Sequence, residues 1–334
     1  MSNKHTTLIG LFFLFISHNI QAQFSNIDLA SIKFEDKAEN LGTIINSQYD
    51  ELHPIIAPDG KTLYFNRHDH PENIGSDNRE DVWYAPLNDN NEWGKALNMG
   101  TGINSEGHNF ICGILPDGNT ALVAGTYAPE DTDGKDKLFL VKRSSDGWGA
   151  PKELEIQHYY NLTTSNTFHL GASGKILLLA LVRKDSYPMH DLYVSFLLPS
   201  GVWSAPKNLG YNINTRSIEY SPFLAPDGKT LYFSSAGHSG LGSTDIFVSK
   251  RLDDTWQKWS KPKNLGPKIN TSDYDGYFSI DAAGEYAYFS SHNNTYGKGD
   301  IFRIKIAKPD TTAITTNHLS PPPLKTKQLL KPLY

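Results

Sequence analysis

Glu219-Tyr220-Ser221-Pro222-Phe223-Leu224-Ala225-Pro226-Asp227-Gly228-Lys229-Thr230-Leu231-Tyr232-Phe233-Ser234-Ser235 reads as two extended segments around one tight turn. Pro226 presets φ for the first central turn position, Asp227 tolerates the second, and Gly228 supplies a positive φ. Such a turn joins antiparallel strands. Thr230 to Ser234 is β-branched and aromatic, with no helical period. A glycine-rich loop leads to a third run, Asp245-Ile246-Phe247-Val248-Ser249. Trp259-Ser260-Lys261-Pro262-Lys263-Asn264-Leu265-Gly266 follows, and its proline suits a short outermost strand. Four strands joined by local turns make one propeller blade.

The unit recurs. Turn glycines stand at Gly60, Gly118, Gly174, Gly228 and Gly284. An aspartate opens an apolar run at Asp81, Asp136, Asp191, Asp245 and Asp300, and Trp93, Trp148, Trp203 and Trp259 keep the same beat. Three residue types in one register of about 55 residues mark an array of one supersecondary unit. Pro58-Asp59-Gly60 and Pro116-Asp117-Gly118 match the turn in full, whereas Ala172-Ser173-Gly174 and Ala283-Gly284 keep the glycine. A leading asparagine precedes the turn at Asn46, Asn104, Asn214 and Asn270; the third repeat has Tyr160 there and Asn161 one place late.

These residues resemble the WD40-like Pro-Asp repeat propellers of the TolB type. The resemblance rests on Ser221-Pro222 to Ser234-Ser235 with Asp245-Ile246-Phe247-Val248 downstream, and covers about five-sixths of the sequence. It is specific for fold and weak for function. The Asn-Leu-Gly and Ile-Asn-Thr spacing looks like the version common in surface and periplasmic proteins of the Bacteroidetes. There a peptidoglycan-binding domain often follows; here only a short Pro-rich tail does.

The expected fold is all-β, a propeller of five four-stranded blades spanning residues 23–306. The fifth repeat has a third strand at Asp300-Ile301-Phe302-Arg303-Ile304 but no tryptophan-marked fourth. Asn40-Leu41-Gly42 matches the ends of outer strands at Asn208-Leu209-Gly210 and Asn264-Leu265-Gly266. The N-terminal segment is therefore expected to complete the last blade and close the ring.

Lys4 and His5 precede the apolar run from Leu8 to Ile16, and Ala22 offers a small residue at a cleavage point. Residues 1–22 thus read as a secretory signal, which predicts a periplasmic or extracellular protein with no membrane span once cleaved. Residues 307–334, with Pro321-Pro322-Pro323, read as a disordered tail or extended linker. Cys112 is the single cysteine and reads as a buried structural thiol. A net charge of −5 without basic runs excludes a nucleic-acid partner. The protein is expected to act as a monomer.

Nine residues before each turn glycine stand Glu51, Asn109, Ser165, Glu219 and Asp275, on loops leading into innermost strands. Arg67, His68, Arg183, His238 and His292 come from the loops between second and third strands, with His53 and His108 nearby. Both loop sets share one face of a propeller, so these acids, imidazoles and guanidinium groups suit a polar ligand. From this set Glu51, Arg67, His68, Asn109, Glu219, His238, Asp275 and His292 are the candidate ligand-binding residues. Alternatively each acid bonds backbone N–H groups of its own loop. The five repeated aspartates read as loop-amide acceptors and the tryptophans as packing units. Asp131, Asp133 and Asp136 have the oxygen spacing of a calcium loop but lack its distant glutamate. No other cofactor or metal is indicated.

Without a nucleophile elbow or an appended hydrolase domain, the expected function is a non-enzymatic scaffold that binds an envelope protein or surface glycan. The alternative is a glycoside hydrolase with Glu51, Glu219 and Asp275 as its carboxylates.

Overall fold

A computed structural model describes residues 28–35, 37–75, 79–127, 137–145 and 147–307. Residues 1–22, which read as a secretory signal, the tail from 308 onward and the loop carrying Asp131, Asp133 and Asp136 lie outside the described residues.

The tight turns form as the repeat predicts. Gly60, Gly118, Gly174, Gly228 and Gly284 have φ of +65° to +71°. At Pro226-Asp227 the Gly228 amide donates to the Ala225 carbonyl, while the Asp227 carboxylate accepts the amides of Lys229 and Thr230. The side chain of Asp227 thus starts the second strand as well as shaping the turn.

After a 3-10 turn at Leu29–Ser31 comes β1 (Glu39–Asn40). The first blade is β2 (Asp50–Ile56), β3 (Thr62–His68), β4 (Glu80–Pro86) and β5 (Leu97–Asn98). The second is β6 (Asn109–Ile114), β7 (Thr120–Gly125) and β8 (Lys137–Ser144), extended by β9 (Gly147–Trp148) and β10 (Lys152–Glu153). The third is β11 (Thr167–Leu170), β12 (Ile176–Leu181), β13 (Asp191–Phe196) and β14 (Lys207–Asn208). The fourth is β15 (Glu219–Leu224), β16 (Thr230–Ser235), β17 (Asp245–Lys250) and β18 (Lys263–Asn264). The fifth is β19 (Asp275–Ile280), β20 (Tyr286–Ser291), β21 (Asp300–Lys305) and, from the other end of the protein, β1. Glu39 pairs with Arg303 and Asn40 with Phe302, so the ring is closed by the N-terminal strand.

The fold is therefore a five-bladed β-propeller, and each contact between adjacent blades carries its own apolar cluster. Second strands are buried on both faces, so they read as unbroken apolar runs rather than alternating ones. Leu177 to Leu181 in β12 are all fully buried.

One polar motif repeats beside these clusters. The Asn270 side chain accepts from the Ile246 amide, donates to the Ile246 carbonyl and donates to Asn264 Oδ1. Asp245 Oδ2 accepts from Asn264 and from the Leu241 amide. The same linkage joins Asn214, Asn208 and Asp191, Asn104, Asn98 and Asp81, and Asn46, Asn40 and Asp300. The repeated aspartates and asparagines thus tie four of the five outer strands to the loop leading into the next blade. The third repeat departs from this where its sequence does: Asn161 accepts from the Val182 amide but donates to the Ser165 carbonyl.

Candidate functional site

A cavity of about 730 Å³ opens at the mouth of the central channel, on the face that receives both loop sets. That volume lies within the roughly 300–1,000 Å³ of ligand-holding clefts. All five blades contribute to its wall.

Tyr220 from β15, Tyr274 beside β19 and Tyr277 within β19 form an aromatic wall. Their ring centroids lie 6.0–6.4 Å apart, and burial pushes all three phenols above their usual range. His53 packs against Tyr277 at 4.5 Å. Desolvation among these packed rings, then the nearby His169, holds its imidazole down at about 3, so it is neutral at physiological pH. His53 and Tyr277 have φ of +60° and +55° in the first and fifth innermost strands. Both sit at β-bulges, which turn a side chain out of the regular alternation.

The polar part of the wall comes from Asn66, Arg79, Glu80, His108, Asn166 and His190, among others. Glu80 is the one carboxylate among the lining residues described. Burial, then the charge of Arg79, holds His108 below its ordinary value. His190 Nε2 lies 2.9 Å from the Ser165 carbonyl, so it carries the proton and leaves the lone pair on Nδ1. Three polar atoms of wall residues, Asn66 Nδ2, Asn166 Oδ1 and Tyr220 Oη, are buried without a hydrogen-bond partner among the described residues.

The eight candidate ligand-binding residues stand outside this wall. Glu51 is fully buried and accepts from the Ser47 amide at 2.8 Å, the Ser47 hydroxyl at 2.5 Å and Arg67 Nε at 2.8 Å. Arg67 also donates to the Ile45 carbonyl and lies 4.3 Å from the Trp83 ring, so it serves the blade rather than the mouth. Glu219 accepts from the Thr215 amide, the Thr215 hydroxyl and the Ser235 hydroxyl, each at 2.7 Å. Asp275 accepts from the Thr271 amide and hydroxyl, and Asn109 from the Ser105 amide. These side chains close their own loops, the second of the two readings the sequence allowed. His68 faces Asp69 at 3.3 Å, His238 meets the Ile213 carbonyl at 2.9 Å, and His292 lies 3.6 Å from Asp50. Of the polar loop residues named from sequence, only Ser165, His53 and His108 line the cavity. The calcium candidates Asp131, Asp133 and Asp136 lie outside the described residues.

Strand alternation explains the displacement. Side chains point alternately to the two sides of a strand. The acids stand nine places before the turn glycine, and that register points into the blade. Positions eight and ten before it face the channel: Leu52, Phe110, Asn166 and Tyr220 at eight, His108, Thr164, Ile218 and Tyr274 at ten. A second signal was available in the sequence. The residue just before the repeated aspartate reaches the mouth in three of the five repeats, as Glu80, His190 and Thr244.

Burial raises the Glu51 and Glu219 carboxyls to about 7 and Asp275 to about 6, against the hydrogen bonds that favour their charged forms. Glu219 has no cation beside it among the described residues, so it isolates the effect. Its folded value exceeds the unfolded one, so between about 4.5 and 7 the folded state holds a proton that the unfolded state has released. Stability should therefore fall as pH rises through that window, by on the order of 1–3 kcal/mol from this group. Urea melts at pH 5 and pH 8 should show a flatter dependence in Glu219→Gln than in the wild type. Identical slopes would mean that Glu219 keeps an ordinary value.

No protein-family model matches the sequence, and no curated protein does either. Solved structures do. That of the BT0996 complex with RGII superposes with a TM-score of 0.55 at 11% identity, over 88% of this protein and 96% of its counterpart. The xyloglucan-locus GH43B of Bacteroides ovatus gives 0.50 at 13% identity, over 82% of this protein and 55% of that one. An alpha-L-arabinofuranosidase from Lactobacillus brevis gives 0.48 at 13% identity, over 84% and 95%. At these identities the likeness shows a shared propeller fold. It also corrects the expectation of a non-enzymatic scaffold. That expectation leaned on missing hydrolase signatures, yet the same fold serves a GH43 glycoside hydrolase that shares only 13% of its residues with this protein. A site assembled from single residues on five blades leaves no contiguous motif to miss.

Proposed function

We propose that the channel mouth is a carbohydrate-processing site and that the protein hydrolyses a glycosidic bond there, with Glu80 as its acid–base carboxylate. The observation that carries this reading is the composition of one cavity: a tyrosine wall, amide side chains and Glu80 lining the same space. Sugars present apolar ring faces and polar edges, which tyrosine faces and amides match respectively. The likeness to the GH43B propeller supports the same class.

Most glycoside hydrolases use two carboxylates. Here Glu80 would protonate the departing oxygen, and an imidazole would take the second role by drawing a proton from water. His190 suits that role, since its free lone pair is on Nδ1. The trio Glu51, Glu219 and Asp275 is not used: none of the three lines the cavity, Glu51 and Glu219 have both carboxylate oxygens engaged in their loops, and Asp275 has one. We further propose that the protein belongs with the Pro-Asp repeat propellers and works outside the cytoplasm, where polysaccharide is met.

Incubating the full protein with a panel of plant and bacterial polysaccharides should release reducing ends from at least one. Glu80→Gln should lower that release about 10²–10⁴-fold while leaving the melting temperature in place. No release from any glycan, or full activity in Glu80→Gln, would defeat the reading.

A further inference from the structure

Five arginines are partly or fully buried among the described residues, and four of them have a carboxylate. Arg67 pairs with Glu51, Arg183 with Asp185, Arg251 with Asp254 and Arg303 with Glu39, at 2.7–3.3 Å. Each of these four also lies over an aromatic ring. Arg79 is the exception. It lines the cavity, and neither an ion pair nor a ring contact engages its guanidinium among the described residues. Its backbone is fixed, since the Arg79 carbonyl accepts from the Asp69 amide and from the Asn73 side chain. Asp69, on the same loop, is taken up by His68 and Lys298.

A partly buried cation without a partner is costly, and this fold pairs its other such arginines. A guanidinium held at the rim of a binding cavity offers two parallel N–H donors in the plane of a carboxylate. His108 stands beside it, its imidazole held below its ordinary value by burial and by the Arg79 charge, and able to donate one further hydrogen bond. Asn66 adds an amide side chain to the wall on the first blade.

We propose that the sugar taken at the channel mouth carries a carboxylate, that is, a uronate residue, and that Arg79 is its partner. This rests on the carbohydrate-processing reading above and narrows its substrate class. The tyrosine wall holds the sugar ring, Glu80 stands at the bond, and Arg79 reads the acid group. Phosphate and sulfate esters are the other anions a guanidinium binds, and the planar fork favours a carboxylate over a sulfate only through geometry.

Calorimetric titration of the full protein separates these cases. The probes are oligogalacturonate, oligoglucuronate, the same oligomers with their carboxyls reduced to alcohols, and a sulfated oligosaccharide. Binding of a uronate oligomer should weaken about tenfold or more on carboxyl reduction, and again with added salt. Arg79→Gln should bring the same loss with an unchanged melting temperature, and Arg79→Lys should recover only part of it. Equal binding of the reduced oligomers, or preference for the sulfated one, would overturn the uronate assignment and leave a carbohydrate site standing. Binding of none of them, together with no release from any polysaccharide, would overturn both. The preference of the wild type between native and reduced oligomers decides the matter even if Arg79→Gln fails to fold.

Discussion

Deleting residues 28–42 should abolish the folded monomer. The segment supplies β1, whose pairing with β21 closes the fifth blade. It also buries Leu29, Phe34 and Leu41, which are 1%, 8% and 7% exposed. At about 1.5–3 kcal/mol for each buried side chain, that burial alone is worth roughly 5–9 kcal/mol. This compares with a total stability of about 5–15 kcal/mol for an ordinary domain. Further ties go with it: Asn40 to Asp300 and to Asn46, Arg303 to Glu39, and the Tyr232 hydroxyl to the Leu29 carbonyl. What remains would expose β21 as an unpaired edge, open to pairing with another copy. Size-exclusion chromatography with light scattering should show oligomers or aggregate, and thermal melting should lose its cooperative transition. A monomer that melts at the wild-type temperature would show that the ring holds without its N-terminal strand.

The second large effect is expected from Trp203→Ala, at about 3–5 kcal/mol. Trp203 is 2% exposed and packs into the cluster between the second and third blades, with Leu138, Phe168 and Tyr193. Its backbone amide donates to the Glu155 carbonyl, and its carbonyl accepts from the Gln157 amide. The residue thus joins the third blade's outer hairpin to the segment leaving the second. Removing the indole opens a cavity that two rigid sheets cannot easily collapse into. Trp93 holds the equivalent place in the first repeat but is only half-buried, so Trp93→Ala should cost less. Urea denaturation of both variants checks the ranking. Equal and small losses would mean that the outer hairpins contribute little to stability.

The architecture was legible in the sequence because its determinants are local and repeated. A turn glycine needs a positive φ whatever surrounds it, and Gly228 has +65°. An apolar run without helical period must become a strand buried on both faces, as Leu177 to Leu181 did. Even the closing strand could be read, since Asn40-Leu41-Gly42 repeats the endings at Asn208 and Asn264. Asn40, Asn98, Asn208 and Asn264 do the same job in four of the five blades, accepting from the amide of the glycine two places on at 2.7–2.9 Å.

The site was another matter. Which of two neighbouring residues faces the channel depends on where the alternation begins, and a shift of one place exchanges the two sides. Glu219 therefore closes its own loop while Tyr220 beside it lines the cavity. The bulges at His53 and Tyr277 displace the register further, and no residue pattern announced them. Arg79, His190 and Tyr277 stand on three blades and share a wall only because the ring closes. Repetition along the sequence determines a blade and how many there are. Convergence of unlike residues from separate blades is long-range, and only the tertiary structure decides it.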